Sequence, residues 1–212
     1  MAKLIAFDLD GTLIDSRLDL AGAVNYMRCS MGLEPLETER VVHFVGNGAA
    51  ALVRRAIADA EIDFDEALHR MRAFYFDHIT DTTVLYPGVA AGLKQLHEAG
   101  NTLAVVTNKP GKETEKILTQ LGVREYFSDV IGGDSDFPLK PEPDALLHLK
   151  QKYNVSDSQC WMIGDHYTDL ESGRRAGFRR IFLSCGFGET DGETPDYTAE
   201  SFSDVSLILS GF

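Results

Sequence analysis

The sequence predicts an α/β chain, a doubly wound parallel sheet interrupted by an all-helical insertion. Three observations predict it. From Gly88 onward, short apolar runs alternate with stretches of helical periodicity, the pattern of strands joined by covering helices. The N-terminal run Leu4-Ile5-Ala6-Phe7 reads as a buried strand and stops at two acids, Asp8 and Asp10. Between them, residues 17–82 carry helical spacing and no convincing strand.

Taken in order, the first strand ends in Asp8-Leu9-Asp10-Gly11-Thr12. Side chains alternate across a strand, so Asp8 and Asp10 should project to one side while Gly11 lets the chain turn. In the insertion, Leu20, Val24, Met27 and Met31 keep helical spacing, as do Leu68, Met71 and Tyr75, and Asp63 with Glu66 three positions on marks a helix start. The core is expected over residues 1–16 and 83–212, with hinges near residues 15–18 and 82–87. Later strands are expected at residues 103–106, 130–131, 161–163 and 181–183, with Gly100 and Gly122 just past two helices, where a left-handed residue is wanted. Residues 188–195 read as a loop before a final strand and helix.

With 212 residues, 44% of them hydrophobic, the chain can bury a full core. Its net charge of −13 and pI near 4.8 argue against a nucleic-acid partner, so an anionic substrate must meet local positive charge. Cys29, Cys160 and Cys185 form no CxxC pattern and are expected to be small buried hydrophobes, with neither disulfides nor zinc. Only four apolar residues separate Lys3 from Asp8, too few for a signal-peptide core, and no apolar stretch approaches membrane length. The expected setting is cytoplasmic.

Polar residues recur at the later strand ends. Thr107-Asn108 follows Val105-Val106, where an open parallel sheet binds ligands, although Thr107 would serve equally as a helix N-cap. Lys140 sits among prolines before a helix, its backbone restricted. Gly164-Asp165 closes another strand, with Asp169 four residues on; if that strand is parallel and close to the first, Asp165 lies beside Asp8. Two bare carboxylates repel, and a divalent cation would let one stay ionised as a nucleophile while the other shuttles protons.

These four clusters, in this order, resemble the haloacid dehalogenase superfamily of phosphohydrolases over the whole chain, and Cys185-Gly186-Phe187-Gly188 is similar to its phosphoglycolate phosphatase branch. The resemblance implies a Rossmann-like core with a small helical cap over residues 17–82. It implies Asp8 as the nucleophile that forms an aspartyl phosphate and Asp10 as proton shuttle, with Lys140 as the second positive charge. Mg²⁺ would take the Asp8 and Asp165 carboxylates and the Asp10 main-chain carbonyl. Thr107, Asn108, Thr12 and the amides of Leu9 to Gly11 would donate to phosphate oxygens, and Asp169 would orient Lys140 or a metal-bound water. His166 replaces a small polar residue common in relatives and is a candidate substrate contact.

Substrate choice should come from the cap. Residues 17–82 contain no lysine, which makes carbon–phosphorus cleavage through a Schiff base improbable. Gly46-Asn47-Gly48 opens a helix whose amides suit a small anion, with Arg54-Arg55 about two turns on; a plain turn with solvated arginines is the equal alternative. The expected reaction is hydrolysis of a small phosphorylated metabolite, 2-phosphoglycolate first, by a monomer or homodimer. Alternatives are a nucleotide, sugar-phosphate or pyrophosphate phosphatase, a sugar-phosphate mutase, or a non-enzymatic phospho-aspartate sensor.

Overall fold

A computed structural model describes residues 2–58 and 60–211. Six strands form one parallel sheet: β1 (Leu4–Phe7), β4 (Thr102–Val106), β5 (Asp129–Ile131), β6 (Cys160–Gly164), β7 (Arg179–Leu183) and β8 (Tyr197–Ala199), in the spatial order β5-β4-β1-β6-β7-β8. Chain order reverses at β1, so β1 has β4 on one side and β6 on the other, with Phe7 opposite Val105 and Ile163. That reversal opens a crevice beyond the carboxyl ends of β1, β4 and β6.

Strand alternation divides the core into two layers. Ile5 and Phe7 of β1, Leu103 and Val105 of β4, and Trp161 and Ile163 of β6 point to one face, against α5 (Val89–Glu98), α6 (Gly111–Gln120) and α9 (Phe202–Ser210). Leu4, Ala6, Ala104, Val106, Cys160 and Met162 point to the other, against α7 (Asp144–Tyr153) and α8 (Tyr167–Ala176). Phe7 is wholly buried, its ring 5.8 Å from Phe202 and 6.3 Å edge-on from Phe127. An aromatic side chain so enclosed contributes about 2–3 kcal/mol by burial alone, and a parallel strand covered on both faces has no use for a polar residue until it leaves the sheet at Asp8.

Between β1 and β4 the chain rises through β2 (Ile14–Asp15) into α1 (Arg17–Ser30), α2 (Thr38–Val42), α3 (Ala49–Ile57) and α4 (Phe64–Asp77), then returns through β3 (Val84–Leu85), which pairs antiparallel with β2. The two-residue strands had no legible period. Buried Asp19 at the start of α1 grips the return, accepting from the amides and hydroxyls of Thr82 and Thr83 at 2.6–3.1 Å. Burial opposes its charge, but those donors outweigh burial and lower its pKa. Leu20, Val24, Met27, Met71 and Tyr75 pack in the same hydrophobic cluster as Phe7, so the helices rest on the sheet's layer as well as on one another. Asp63 caps α4 through the Glu66 amide at 2.8 Å. Gly100 and Gly122 take positive φ, 78° and 70°, just beyond α5 and α6.

The cysteine expectation is corrected: Cys160 is buried in β6, whereas Cys29 and Cys185 are exposed. Among the described residues no helix is long and apolar enough to cross a membrane.

Candidate active site

Asp8 leaves the sheet just past β1, its amide still bonded to the Ile163 carbonyl at 2.9 Å. Because β1 and β6 are neighbours, Asp8 and Asp165 emerge side by side. With Asp169 from the first turn of α8, they offer carboxylate oxygens within 4.8 Å of one another, all buried. Lys140, 5% exposed, reaches across the strand ends, its Nζ donating to Asp8 Oδ1 (2.8 Å), Asp169 Oδ1 (2.6 Å) and the Val106 carbonyl (2.7 Å). Burial opposes that ammonium, yet Asp169 and Asp8 outweigh burial and hold its pKa above the ordinary value. The resulting balance is one cation among three acids.

Asp165 receives three donors: the Thr12 hydroxyl at 2.9 Å and the Phe187 and Gly188 amides at 3.1 and 2.9 Å. They do not suffice. Burial, with the charges of Asp8 and Asp169 adding, pushes its carboxyl up to about 8. The space is cut close: a Cβ on Gly11, whose φ is +83°, would lie 2.0 Å from Asp165 Oδ2, and one on Gly186 2.4 Å from Asp165 Cβ. Burial likewise raises the Asp169 carboxyl against the pull of Lys140, and Asp169 Oδ2 accepts the His166 amide at 3.1 Å. Both Asp169 oxygens are therefore committed, one to Lys140 and one to the helix cap.

Asp10 faces the same cavity, and Lys109 Nζ bonds both its oxygens, at 2.9 and 2.8 Å, while Ser16 donates at 2.5 Å. Lys109 lies over the Tyr75 ring, 4.6 Å from its centroid, and is buried. It escaped the sequence reading, although it directly follows Thr107-Asn108. Asp10 outweighs burial and raises its pKa.

Several expected donors turn out to be engaged elsewhere. Thr12 serves Asp165, and the Gly11 amide bonds the Ile14 carbonyl at 2.9 Å, within the turn that brings Leu9 onto residues 12–14. Asn108 directs its amide to Lys140 and Gly46. Thr107 lines the cavity; α6 is capped at Pro110, so the N-cap alternative for Thr107 fails. His166 also lines it. Its Nδ1 faces the Thr168 hydroxyl at 2.9 Å, and burial pushes its pKa down to about 4, leaving a neutral ring.

In the helices, Gly48 borders the cavity as the N-cap of α3, whereas Asn47 turns to the Tyr167 hydroxyl at 3.0 Å. Arg54 points away and stacks on Phe64 at 4.2 Å, and Arg55 holds Asn47 Oδ1 at 2.7 Å. The arginine at the cavity is Arg72 of α4, paired at 2.9 Å with Glu113 of α6. Its spacing gave no distinguishing signal: Arg72 lies three residues before buried Tyr75, but Arg54 lies three before buried Ile57.

Two buried carboxyls with raised pKa, hard oxygen donors and a deficit of positive charge fit a divalent cation such as Mg²⁺. The family model described as haloacid dehalogenase-like hydrolase matches residues 5–183. Phosphoglycolate phosphatase from Vibrio parahaemolyticus is 38% identical, with 98% of this chain and 96% of that protein covered. The Chromobacterium violaceum enzyme of the same name is 39% identical at the same coverage. The crystal structure of a predicted phosphoglycolate phosphatase from Haemophilus somnus superposes with a TM-score of 0.93 at 32% identity, covering 98% of this chain and 97% of that one. With strand order, acidic cluster and lysine all in place, the chain belongs to the haloacid dehalogenase-like hydrolase family.

Proposed function

We propose that this phosphoric monoester hydrolase transfers the phosphoryl group of a small ester to Asp8 and then to water, with 2-phosphoglycolate as substrate. The observation that carries the reading is Lys140 Nζ bonded at once to Asp8, Asp169 and the Val106 carbonyl, a fixed positive charge beside a carboxylate at the mouth of the sheet. Asp8 Oδ1 is oriented by that lysine, and Oδ2 is the oxygen that attacks phosphorus, forming the new P–O bond as the ester bond breaks. Lys140 offsets the repulsion between the anionic nucleophile and the anionic ester. Asp10, aimed by Lys109 and Ser16, must enter the first step protonated, with one oxygen released by Lys109; it hands that proton to the departing alkoxide and later takes one back from the water that opens the acyl phosphate. Asp8, Asp165 and the Asp10 main-chain carbonyl would hold Mg²⁺, which when bound withdraws charge from the phosphate and from the carboxylates. Residues 17–82 would act as a cap that excludes water from the intermediate.

The choice of ester rests on charge and on the names of the relatives. Arg72 is the guanidinium the helices present to the cavity, a charge suited to the carboxylate of a small phosphorylated acid. The test is phosphate release from 2-phosphoglycolate, hexose phosphates, nucleotides and pyrophosphate, compared by kcat/KM. Highest kcat/KM on 2-phosphoglycolate, and no turnover by Asp8→Asn, are expected. Preference for another ester would overturn the substrate, isomerised sugar phosphate in place of free phosphate would indicate a mutase, and substantial activity in Asp8→Asn would overturn the nucleophile.

A further inference from the structure

Loop 45–48, between α2 and α3, lies on the core at three points. The Gly46 carbonyl accepts from Asn108 Nδ2 at 2.9 Å. Asn47 Nδ2 donates to the Tyr167 hydroxyl at 3.0 Å. Gly46, at φ +111°, sits so close to the His166 ring that a Cβ would fall 2.6 Å from Nε2. The loop therefore closes over the residues that follow β4 and β6.

Asn108 does more than hold that loop. The same amide donates to the Lys140 carbonyl at 2.9 Å and accepts from the Lys140 amide at 2.8 Å, so both backbone groups of the lysine are clamped by one planar side chain. Both its donor hydrogens and its acceptor are in use, and Asn108 is buried. A buried amide hydrogen that loses its acceptor costs free energy, so departure of the Gly46 carbonyl leaves Asn108 either unpaired or turned toward another partner. An amide that turns to regain a partner gives up its bonds to Lys140, so the clamp loosens and with it the place of Nζ against Asp8.

We propose that Asn108 is a positioning residue through which docking of loop 45–48 sets Lys140 against Asp8. The coupling would join cap closure to assembly of the charged site, so that the ammonium is in register only when the cavity is covered. It rests on the proposed roles of Lys140 and Asp8.

The first test reads the coupling without turnover. Gly46→Ala should push the loop from His166, and Tyr167→Phe should remove the acceptor of Asn47 without touching the backbone. Neither substitution contacts Lys140. Hydrogen exchange at the Lys140 amide, followed by NMR, should rise about tenfold in whichever variant speeds exchange in the loop, the loss expected for one buried hydrogen bond. Loop opening with unchanged exchange at Lys140 would overturn the proposal, as would a loop left closed by both substitutions.

The second test uses kinetics. Asn108→Asp keeps the acceptor for the Lys140 amide but sets an oxygen against the Gly46 and Lys140 carbonyls. It should lower kcat about tenfold with a smaller change in KM, and the double variant with Gly46→Ala should be no worse than the worse single variant. Independent, multiplying losses would overturn the coupling. Exchange coupling in a protein that releases phosphate from no ester would instead defeat the proposed function and leave the clamp standing.

Discussion

Asp165→Asn separates the electrostatic cost of the acidic cluster from its use. In the metal-free protein the Asp165 carboxyl titrates at about 8, against an ordinary 3.8, because burial and two neighbouring acids oppose its charge. The folded state then holds a proton that the unfolded chain releases between about pH 4 and pH 8, so stability falls as pH rises through that window. At ~1.4 kcal/mol for each pH unit, the deficit is on the order of 5 kcal/mol at pH 8 and ~2 kcal/mol at pH 5. Asparagine removes the charge and can still be satisfied: its oxygen accepts the Phe187 and Gly188 amides, while its nitrogen donates to a Thr12 hydroxyl turned to accept. Calorimetry with a chelator present should therefore find Asp165→Asn more stable than the parent, by an amount that grows from pH 5 to pH 8 and reaches a Tm gain on the order of 10 °C. Adding Mg²⁺ should raise the Tm of the parent, more at pH 8 than at pH 5 because binding displaces a proton, and should leave the variant nearly unmoved. An Asp165→Asn protein less stable than its parent at pH 8 without metal, or a difference flat across pH, would refute the reasoning.

Two further outcomes test the packing and the cationic wall. Gly11→Ala, with its Cβ 2.0 Å from Asp165 Oδ2 and a left-handed backbone, should lose both Mg²⁺-induced stabilisation and phosphate release, measured by thermal shift and steady-state kinetics. Arg54→Ala should leave kcat/KM within about twofold of the parent, since that guanidinium stacks on Phe64, whereas Arg72→Ala should raise KM for 2-phosphoglycolate about tenfold, the loss of one charge-assisted contact. Equal effects from the two arginines would contradict the placement of Arg72 at the cavity.

What the sequence made legible follows from the range of each signal. β1, β4 and β6 were readable because a parallel strand covered on both faces is apolar throughout, and their polar ends marked Asp8, Thr107 and Asp165. Asp63 and Gly100 were readable because caps act over three or four residues. The two-residue strands β2 and β3 were not, since no period fits in two residues. Lys109 was passed over because its partner, Asp10, lies ninety-nine residues away in sequence, and only closure of the sheet's crevice brings them together.

The arginines show the same limit in the phase of a helix. Arg54 and Arg55 are adjacent on α3, whose inward face is Leu52, Val53, Ala56 and Ile57, so both are turned from the core, one to Phe64 and the other to Asn47. Their spacing from the Gly46–Gly48 loop made them candidates for an anion, with solvated side chains as the equal alternative, and the hundred-degree step between residues turns them from the apolar face. Arg72 stands next to buried Met71 and three residues before buried Tyr75, but Arg54 likewise stands next to buried Val53 and three before buried Ile57; the difference is the partner, Glu113 of α6 for Arg72 and Phe64 for Arg54. The apolar stripe alone therefore does not tell the two arginines apart. The partner each meets in the folded chain does, and that partner decides whether the side chain can reach a ligand.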